Sequence, residues 1–371
     1  MRCGRACSAA RLLLSRCALA ALALCTARVQ AVGAAVSCSA VVALADMHGD
    51  LGAAMRALAL AGVASAQAGA AGGQARASAE WVGGGACLVQ TGDQVDRGAD
   101  SLLVVEMLES LREQAAAAGG EVTSLLGNHE LMSLAGDTRY VAREELDELG
   151  ARGGSRAEAQ RALEQRLAAP DGEGQRASGG VRAGKQAWSD AWAPGGEYFA
   201  LATQRPVAVT RGEGACRTLF VHAGVLPAHV QRYGELAALN EAMGAAVARA
   251  RSRQARQSEL LGNEGPVWTR VYAEEEERVA CAALEEVLRA TGAARMVVGH
   301  TVQRPVARAR CGGRLVLLDT GMSAIYRGHP SAFRCDQGEE GGAWLLREGH
   351  KEALPRVEPM QQQGGQRRSE L

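Results

Sequence analysis

The chain has 371 residues, with 41 basic and 41 acidic side chains and therefore no net charge. That balance argues against the generic attraction that nucleic acid or an anionic membrane surface exerts on a basic protein. Lys185 and Lys351 are the only lysines and Ile325 the only isoleucine, which with abundant Ala and Gly reads as the codon bias of a GC-rich genome.

The first 38 residues read as a targeting leader. Arg2, Arg5, Arg11 and Arg16 are basic, no acidic residue precedes Asp46, and the Ala/Leu-rich stretch Cys17–Ala27 is too short to span a bilayer. Small residues follow it, as at a signal-peptidase site. A secretory signal peptide is the favoured reading. A plastid or mitochondrial transit peptide, also Arg-rich and acid-free, is the alternative.

Five short polar segments then recur, each after an apolar run. Val41–Ala45 predicts a first strand, followed by Asp46-Met47-His48-Gly49-Asp50 and an amphipathic helix over Leu51–Ala64. Gln67–Ala79 is Gly/Ala-rich and reads as a loop. Cys87–Thr91 predicts a second strand, followed by Gly92-Asp93-Gln94-Val95-Asp96-Arg97-Gly98 and a helix over Ser101–Ala117. Val122–Leu126 predicts a third, followed by Gly127-Asn128-His129-Glu130. This alternation implies α/β layers, with the polar residues gathered where the strands end.

Residues 142–215 interrupt the pattern. Ala142–Leu167 is charged and helical, Pro170–Gly184 is turn-rich, and Trp188, Trp192, Tyr198 and Phe199 gather many of the chain's few aromatic side chains. A helical cap beside the site is expected, with those aromatics packing cap against core. Leu219–Val221 resumes the sheet and leads into His222-Ala223-Gly224. Glu235–Arg256 and Glu274–Ala290 predict helices. Met296–Val298 leads into Gly299-His300-Thr301, and Leu315–Leu318 is a late strand. The catalytic domain is placed at 39–350, and a polar, disordered tail at 351–371.

The segments supply the ligands that two divalent cations about 3.5–4 Å apart require. Asp46 and His48, two residues apart, reach one ion. Asp93 is the candidate carboxylate to bridge both. Asn128 offers an amide oxygen, and His222 and His300 offer imidazoles, to the second ion. The order D-x-H-G, G-D-x-V-D-R-G, G-N-H-E, H-A-G, G-H-T resembles the phosphoprotein phosphatase branch of the calcineurin-like metallophosphoesterases. The contexts Leu131–Val141, Gly265–Arg270, Val298–Gln303 and Asp319–Ser323 are similar to those of the Shewanella-like protein phosphatases. Two positions depart from the pattern. Ala45 stands where the family usually has Gly, tolerable if its φ is negative, and Ala223 follows His222 where the eukaryotic enzymes have Gly.

The resemblance implies a β-sandwich flanked by helices with a helical cap insertion. It also implies two ions, Mn²⁺ or Fe²⁺/Fe³⁺ with Zn²⁺ as an option, and attack by a metal-bridging hydroxide on a phosphomonoester of Ser/Thr or Tyr in a phosphoprotein. Arg97 and Arg270 are the candidates to bind phosphate, because a guanidinium fork matches two phosphate oxygens; Arg304 and Arg327 are substitutes for the second. Asn128 can donate its amide to phosphate as well. Tyr326 is placed at the pocket wall. His129, held by Asp96, is the candidate general acid. The alternative activity is that of a symmetrical diadenosine tetraphosphatase-like nucleotide hydrolase, which shares much of the motif set.

The ten cysteines show neither C-x-x-C spacing nor an evident disulfide framework. Five of them (Cys87, Cys216, Cys281, Cys311, Cys335) fall in the catalytic domain. An odd number leaves at least one free once the leader is lost, and Cys311–Cys335 is a conceivable pair.

Overall fold

The apolar runs become short strands, most of them buried on both faces. The computed structural model describes residues 37–68, 77–169, 176–253, 255, 258–338 and 341–361. In chain order the strands are β1 (Ala40–Leu44), β2 (Ala64–Ala68), β3 (Ala77–Trp81), β4 (Cys87–Gln90), β5 (Glu121–Ser124), β6 (Ala208–Arg211) and β7 (Thr218–Val221). They continue with β8 (Arg295–Val298), β9 (Arg308–Arg310), β10 (Leu315–Leu317), β11 (Ser331–Asp336), β12 (Ala343–Arg347) and β13 (His350–Ala353). One sheet runs β13-β12-β11-β1-β4-β5 and a second β6-β7-β8-β10-β9.

Strand alternation builds the layers. From β1, Val41 and Ala43 join Val89, Phe220, Val297, Val316 and Phe333 between the sheets. Val42 and Leu44 face the other way, against Leu58, Leu88, Leu103 and Met107. The outer side of the second sheet carries Leu219, Met296 and Leu317, packed with Leu284 and Leu288 of the Glu277–Thr291 helix. This is the expected sandwich flanked by helices.

Within each sheet three strands are parallel: β1, β4 and β5 in one, β7, β8 and β10 in the other. Six strand C-termini therefore open toward the polar segments. The Leu51–Leu60 helix starts at Asp50, whose carboxylate caps it by accepting the Ala53 N–H at 2.8 Å.

Among its described residues the insertion holds four helices, Arg143–Arg152, Arg156–Ala168, Val181–Ala191 and Glu197–Ala202. Trp188, Trp192 and Tyr198 stack in sequence with ring centroids 5.7 Å apart, and all three are buried. The aromatic cluster is thus core packing.

Several expectations need correcting. The insertion is shorter than 142–215, because β6 within it already pairs with β7. The expected loop at 67–79 is in part an antiparallel ribbon, β2 against β3, with Ala66 opposite Ala79; small residues gave no alternation to read, and 69–76 lie outside the described residues. The helix expected over Glu235–Arg256 spans only Leu236–Val247. The fold does not end at 350: β13 pairs with β12, and Leu354 and Val357 are buried. Of the tail, 362–371 lie outside the described residues.

Cysteine pairing is the largest correction. Cys38–Cys87, Cys216–Cys335 and Cys281–Cys311 form disulfides, so no described cysteine is a free thiol. Cys311 pairs with Cys281 and not with Cys335. Cys38, placed in the leader, belongs to the folded unit; residues 1–36 of that leader lie outside the described residues. Among the described residues no helix is long and apolar enough to cross a membrane.

Candidate active site

Five of the six parallel strands deliver a polar segment to the wall of a common cleft of about 370 Å³, and the sixth places His222 buried beside Asp93. Asp46 and His48 follow β1, Asp93 follows β4, and Asn128 and His129 follow β5. In the second sheet His222 follows β7, His300 follows β8 and Asp319 follows β10. The turns are tight enough to force His48, Asp93, Asp96, Arg97 and His300 to positive φ. Non-glycine residues seldom adopt that conformation, and where they do the strain tends to mark a functional site. Gly127 is required for a different reason. A Cβ there would lie 2.2 Å from an Asp93 carboxylate oxygen. Ala45 is not among the positive-φ residues, so its methyl is accommodated in the buried position before Asp46.

Asp93 lies at the centre. Its Oδ2 is 3.8 Å from His48 Nε2 and 3.9 Å from His129 Nε2, and its Oδ1 is 3.5 Å from His222 Nε2. Two groups of potential ligand atoms therefore share this one carboxylate: His48, Asp93 and His129, and Asp93, His222 and His300. Asn128 Oδ1 joins the second, 2.9 Å from His222 Nε2. Asp46 lies beside both, where its carboxylate accepts the His300 backbone N–H at 3.0 and 3.1 Å.

The protonation pattern suits cations. His48 Nδ1 is 3.2 Å from the Val95 carbonyl and His222 Nδ1 is 3.0 Å from that of Thr91. Carbonyls only accept, so each Nδ1 carries the hydrogen and each Nε2 lone pair faces the cleft, as in histidine metal sites. Burial holds both imidazoles well below the usual histidine range, and pushes His300 down to about 3. Three neutral imidazoles are what a cation needs. At the carboxylates burial outweighs the nearby positive charge, His129 beside Asp93 and Arg304 and Arg270 near Asp319. Burial raises Asp93 to about 7 and Asp319 to about 6, and burial with the repulsion of Asp319 and Asp93 raises Asp46 well above the usual carboxylate range. His300 Nε2 and Asp319 Oδ2 are buried and have no hydrogen-bond partner among the described residues. The donor set, its neutral histidines and its unpaired acids fit two divalent cations.

His129 differs from the other histidines. Its Nδ1 is 2.6 Å from Asp96 Oδ2. Burial alone would lower its pKa, but Asp93 and Asp96 together raise it. Arg97 lines the cleft with its guanidinium 3.9 Å from the Tyr140 ring centroid and 5.8 Å from that of Tyr326. Tyr326 in turn lies 5.2 Å from the His48 ring. Arg270 also lines the cleft, but it donates to Thr301 Oγ1 at 2.9 Å, sits 3.6 Å from Glu274 and is nearly half exposed. Arg304 and Arg327 are not among the lining residues.

Three residues of the site carried no role in the sequence reading. Glu130 is fully buried and accepts the backbone N–H groups of Asp93, Gln94 and Gly127 at 2.8–2.9 Å, locking one loop of the cleft onto another. Its signal was a glutamate three residues after the helix-starting Gly127. Asp319 had the same signature as the other segments, an acid after an apolar run. Tyr140, which supports Arg97, had none.

Residues 40–304 match the calcineurin-like phosphoesterase family. Shewanella-like protein phosphatase 2 of Arabidopsis thaliana is 32% identical over 295 residues, 76% of this chain and 71% of that one. The chain belongs to the calcineurin-like phosphoesterases, among the Shewanella-like protein phosphatases. This phosphatase is also 30% identical to an uncharacterized protein of Schizosaccharomyces pombe, over 81% of its own length and 78% of the relative's. A solved cold-active protein-tyrosine phosphatase of a psychrophilic Shewanella shares the fold, with a TM-score of 0.61, 22% identity and coverage of 86% and 81% of the two chains. The phosphatase is a metal-dependent phosphoric ester hydrolase with a candidate dinuclear site.

Proposed function

We propose that the phosphatase removes phosphate from Ser/Thr or Tyr of phosphoproteins, with Asp46, His48, Asp93, Asn128, His222 and His300 holding two ions, Mn²⁺ or iron, with Zn²⁺ as an option. The observation that carries the ligand set is the Asp93 carboxylate, shared between two imidazole groups. The name of the Arabidopsis relative supports a protein substrate. When bound, the ions neutralise phosphate charge and activate water. The chain's own residues do the rest. Arg97, steadied on Tyr140, holds two phosphate oxygens; Arg270 and the Asn128 amide take others, and Tyr326 walls the pocket. His129, kept cationic by Asp96, gives its Nε2 proton to the departing oxygen, and Asp96 stabilises the charged imidazole until it is released.

Oxidised protein starting at Ser37 and supplied with Mn²⁺ is expected to turn over phosphoserine, phosphothreonine or phosphotyrosine peptides faster than dinucleoside polyphosphates; the reverse preference sinks the protein-substrate reading. His129→Asn should slow alkyl phosphates by about 10²–10⁴-fold and p-nitrophenyl phosphate far less, since p-nitrophenolate leaves without a proton. Equal slowing of both, or loss of bound metal, would move His129 from acid to ligand.

The three disulfides support an oxidising compartment. They favour the secretory pathway over a plastid or mitochondrial matrix. Protein from the native source should then begin before Cys38 and carry no free thiol. A reduced, fully active protein in the cell would refute this.

A further inference from the structure

The floor of the sandwich, at the opposite ends of the strands from the catalytic cleft, holds an arginine where the strand pattern calls for an apolar residue. Arg295 opens β8, two residues before Val297, so its side chain points between the sheets with Val297, Phe220 and Phe333. It is 1% exposed, and its guanidinium lies 5.7 Å from the Phe333 ring centroid. Nη2 donates to the Pro355 carbonyl at 3.1 Å. Nε and Nη1 are buried without a hydrogen-bond partner, and no acidic side chain among the described residues forms an ion pair with Arg295. Burial, with Arg314 nearby, pushes its pKa down to about 10, so the group remains a cation at neutral pH. A core seldom keeps an uncompensated charge with unmade hydrogen bonds.

Arg295 lines a cavity of about 460 Å³, within the range of small-molecule sites. Its walls include the Cys216–Cys335 disulfide, Leu354 and Val357. Of the acids that border it, Asp336 is engaged by Arg334 at 2.8 Å and Glu358 by Arg356 at 3.5 Å; Glu213 is exposed. One buried cation, a wall that is apolar at Leu354 and Val357, acids at the border and a second guanidinium, Arg356, that is exposed and engaged by Glu358 suit a monoanion with an apolar body better than a phosphate dianion.

We propose that this cavity is a binding site for a carboxylate with an apolar body, whose carboxylate accepts hydrogen bonds from the Arg295 guanidinium. The site is separate from the catalytic cleft and does not depend on the reading of that cleft. The carboxylate could belong to a free small acid or to the C-terminus of a peptide.

Calorimetric titration of the oxidised protein with hexanoate, benzoate, a short peptide ending in leucine and its C-terminal amide tests the proposal, with inorganic phosphate as the control anion. One carboxylate ligand should bind per chain, and the amide should not. Stronger binding of hexanoate would identify a free acid, and stronger binding of the peptide a chain terminus. Arg295→Met should fold, since it replaces a buried charge by an apolar side chain of similar length, and should lose about tenfold or more in affinity. Arg295→Lys should retain part of it, and guards against a Met variant that fails to fold. No binding by about 10 mM ligand, or equal binding by wild type and Arg295→Met, would overturn the proposal. Gln at both Glu339 and Glu340, between the bordering Gly338 and Gly341, is the last control. A gain of about tenfold in ligand affinity there would mean that the chain supplies its own carboxylate, which also overturns it.

Discussion

In the helical insertion and the Ser101–Ala117 helix it packs against, every strongly buried acid among the described residues has a donor of its own. Glu106 accepts Arg156 Nε at 2.8 Å and the Tyr198 hydroxyl at 3.0 Å; Glu148 meets Arg152, Arg166 and Arg176. In the cleft, Asp46, Asp93 and Asp319 are as deeply buried and no arginine pairs with any of them among the described residues. The two regions share solvent exclusion, so burial alone does not explain the difference. A structural acid is held by its permanent partner. An acid without one is either protonated or waiting for a cation, and three neutral histidines beside these acids make the cation the consistent choice.

Exchanging one acid in each region is the sharpest way to break this comparison. Asp93→Asn should leave no measurable turnover with Mn²⁺ supplied. Losing a mere outer partner of a metal ligand costs about 10–100-fold, and a shared inner carboxylate should cost more. Removing an unpaired buried charge should also leave the metal-free protein as stable as before, or more so. Glu148→Gln should do the opposite, keeping most activity while destabilising the fold by roughly 2–4 kcal/mol, because Arg166 loses a buried partner. Melting curves in chelator and turnover of p-nitrophenyl phosphate read both effects. If Asp93→Asn unfolds the protein, or Glu148→Gln silences it at full stability, the division between the regions is wrong.

The arginines of the cleft allow a smaller test. Arg97 has no ion pair among the described residues and rests on Tyr140, whereas Arg270 is shared with Thr301 and Glu274 and is nearly half exposed. Arg97→Ala should lower kcat/KM by about 10–100-fold, the equivalent of one or two charge-assisted hydrogen bonds. Arg270→Ala should cost less, and metal content should stay unchanged in both. Phosphate inhibition should weaken in the same order. The reverse order would make Arg270 the principal clamp.

The same contrast explains what the sequence revealed. The cleft was legible because each polar segment is contiguous and follows its own apolar strand, so Asp46, Asp93, Asn128, His222 and His300 could be picked out before any geometry was known. The structure gathers them: Asp93, Asn128 and His300 line the cleft, His222 lies buried beside Asp93, and Asp46 beside His300. What it added lies in contacts between segments. Glu130 reaches back to the Asp93 loop, and Tyr140, 43 residues further along the chain, supports Arg97. Disulfides are of this kind too: Cys216 and Cys335 are 119 residues apart and 5.6 Å apart at Cα. Strands β11, β12 and β13 lacked a polar motif at their ends and had no flag. In the insertion, the pairing of Arg166 with Asp100 and Glu148 depends on two elements meeting, and no local pattern encodes that.

One acid bridges the two regions and gives the smallest predicted effect. Glu145 lies in the insertion, is almost fully buried, and accepts the backbone N–H groups of Ser101 and Leu102 at 3.1 and 3.0 Å. It therefore caps the Ser101–Ala117 helix from outside, where the helix dipole favours negative charge. Ser101 Oγ in turn accepts the Asp96 N–H at 3.1 Å, so the cap reaches the loop that holds the partner of His129. Burial raises Glu145 from the usual carboxylate value to about 7, with the Ser101 and Leu102 contacts opposing the rise. The sign of the linkage follows. Between about pH 4.5 and 7 the folded state binds the proton that the unfolded state has released, so stability falls as pH rises through that window and is flat above it. Glu145→Gln should remove this slope, leaving stability less dependent on pH between those limits. The side-chain oxygen of Gln still accepts one N–H, so kcat should fall only severalfold, by about 1 kcal/mol of lost positioning at Asp96. Denaturant titrations at several pH values check the slope. An unchanged slope in the variant would show that Glu145 stays ionised in the fold.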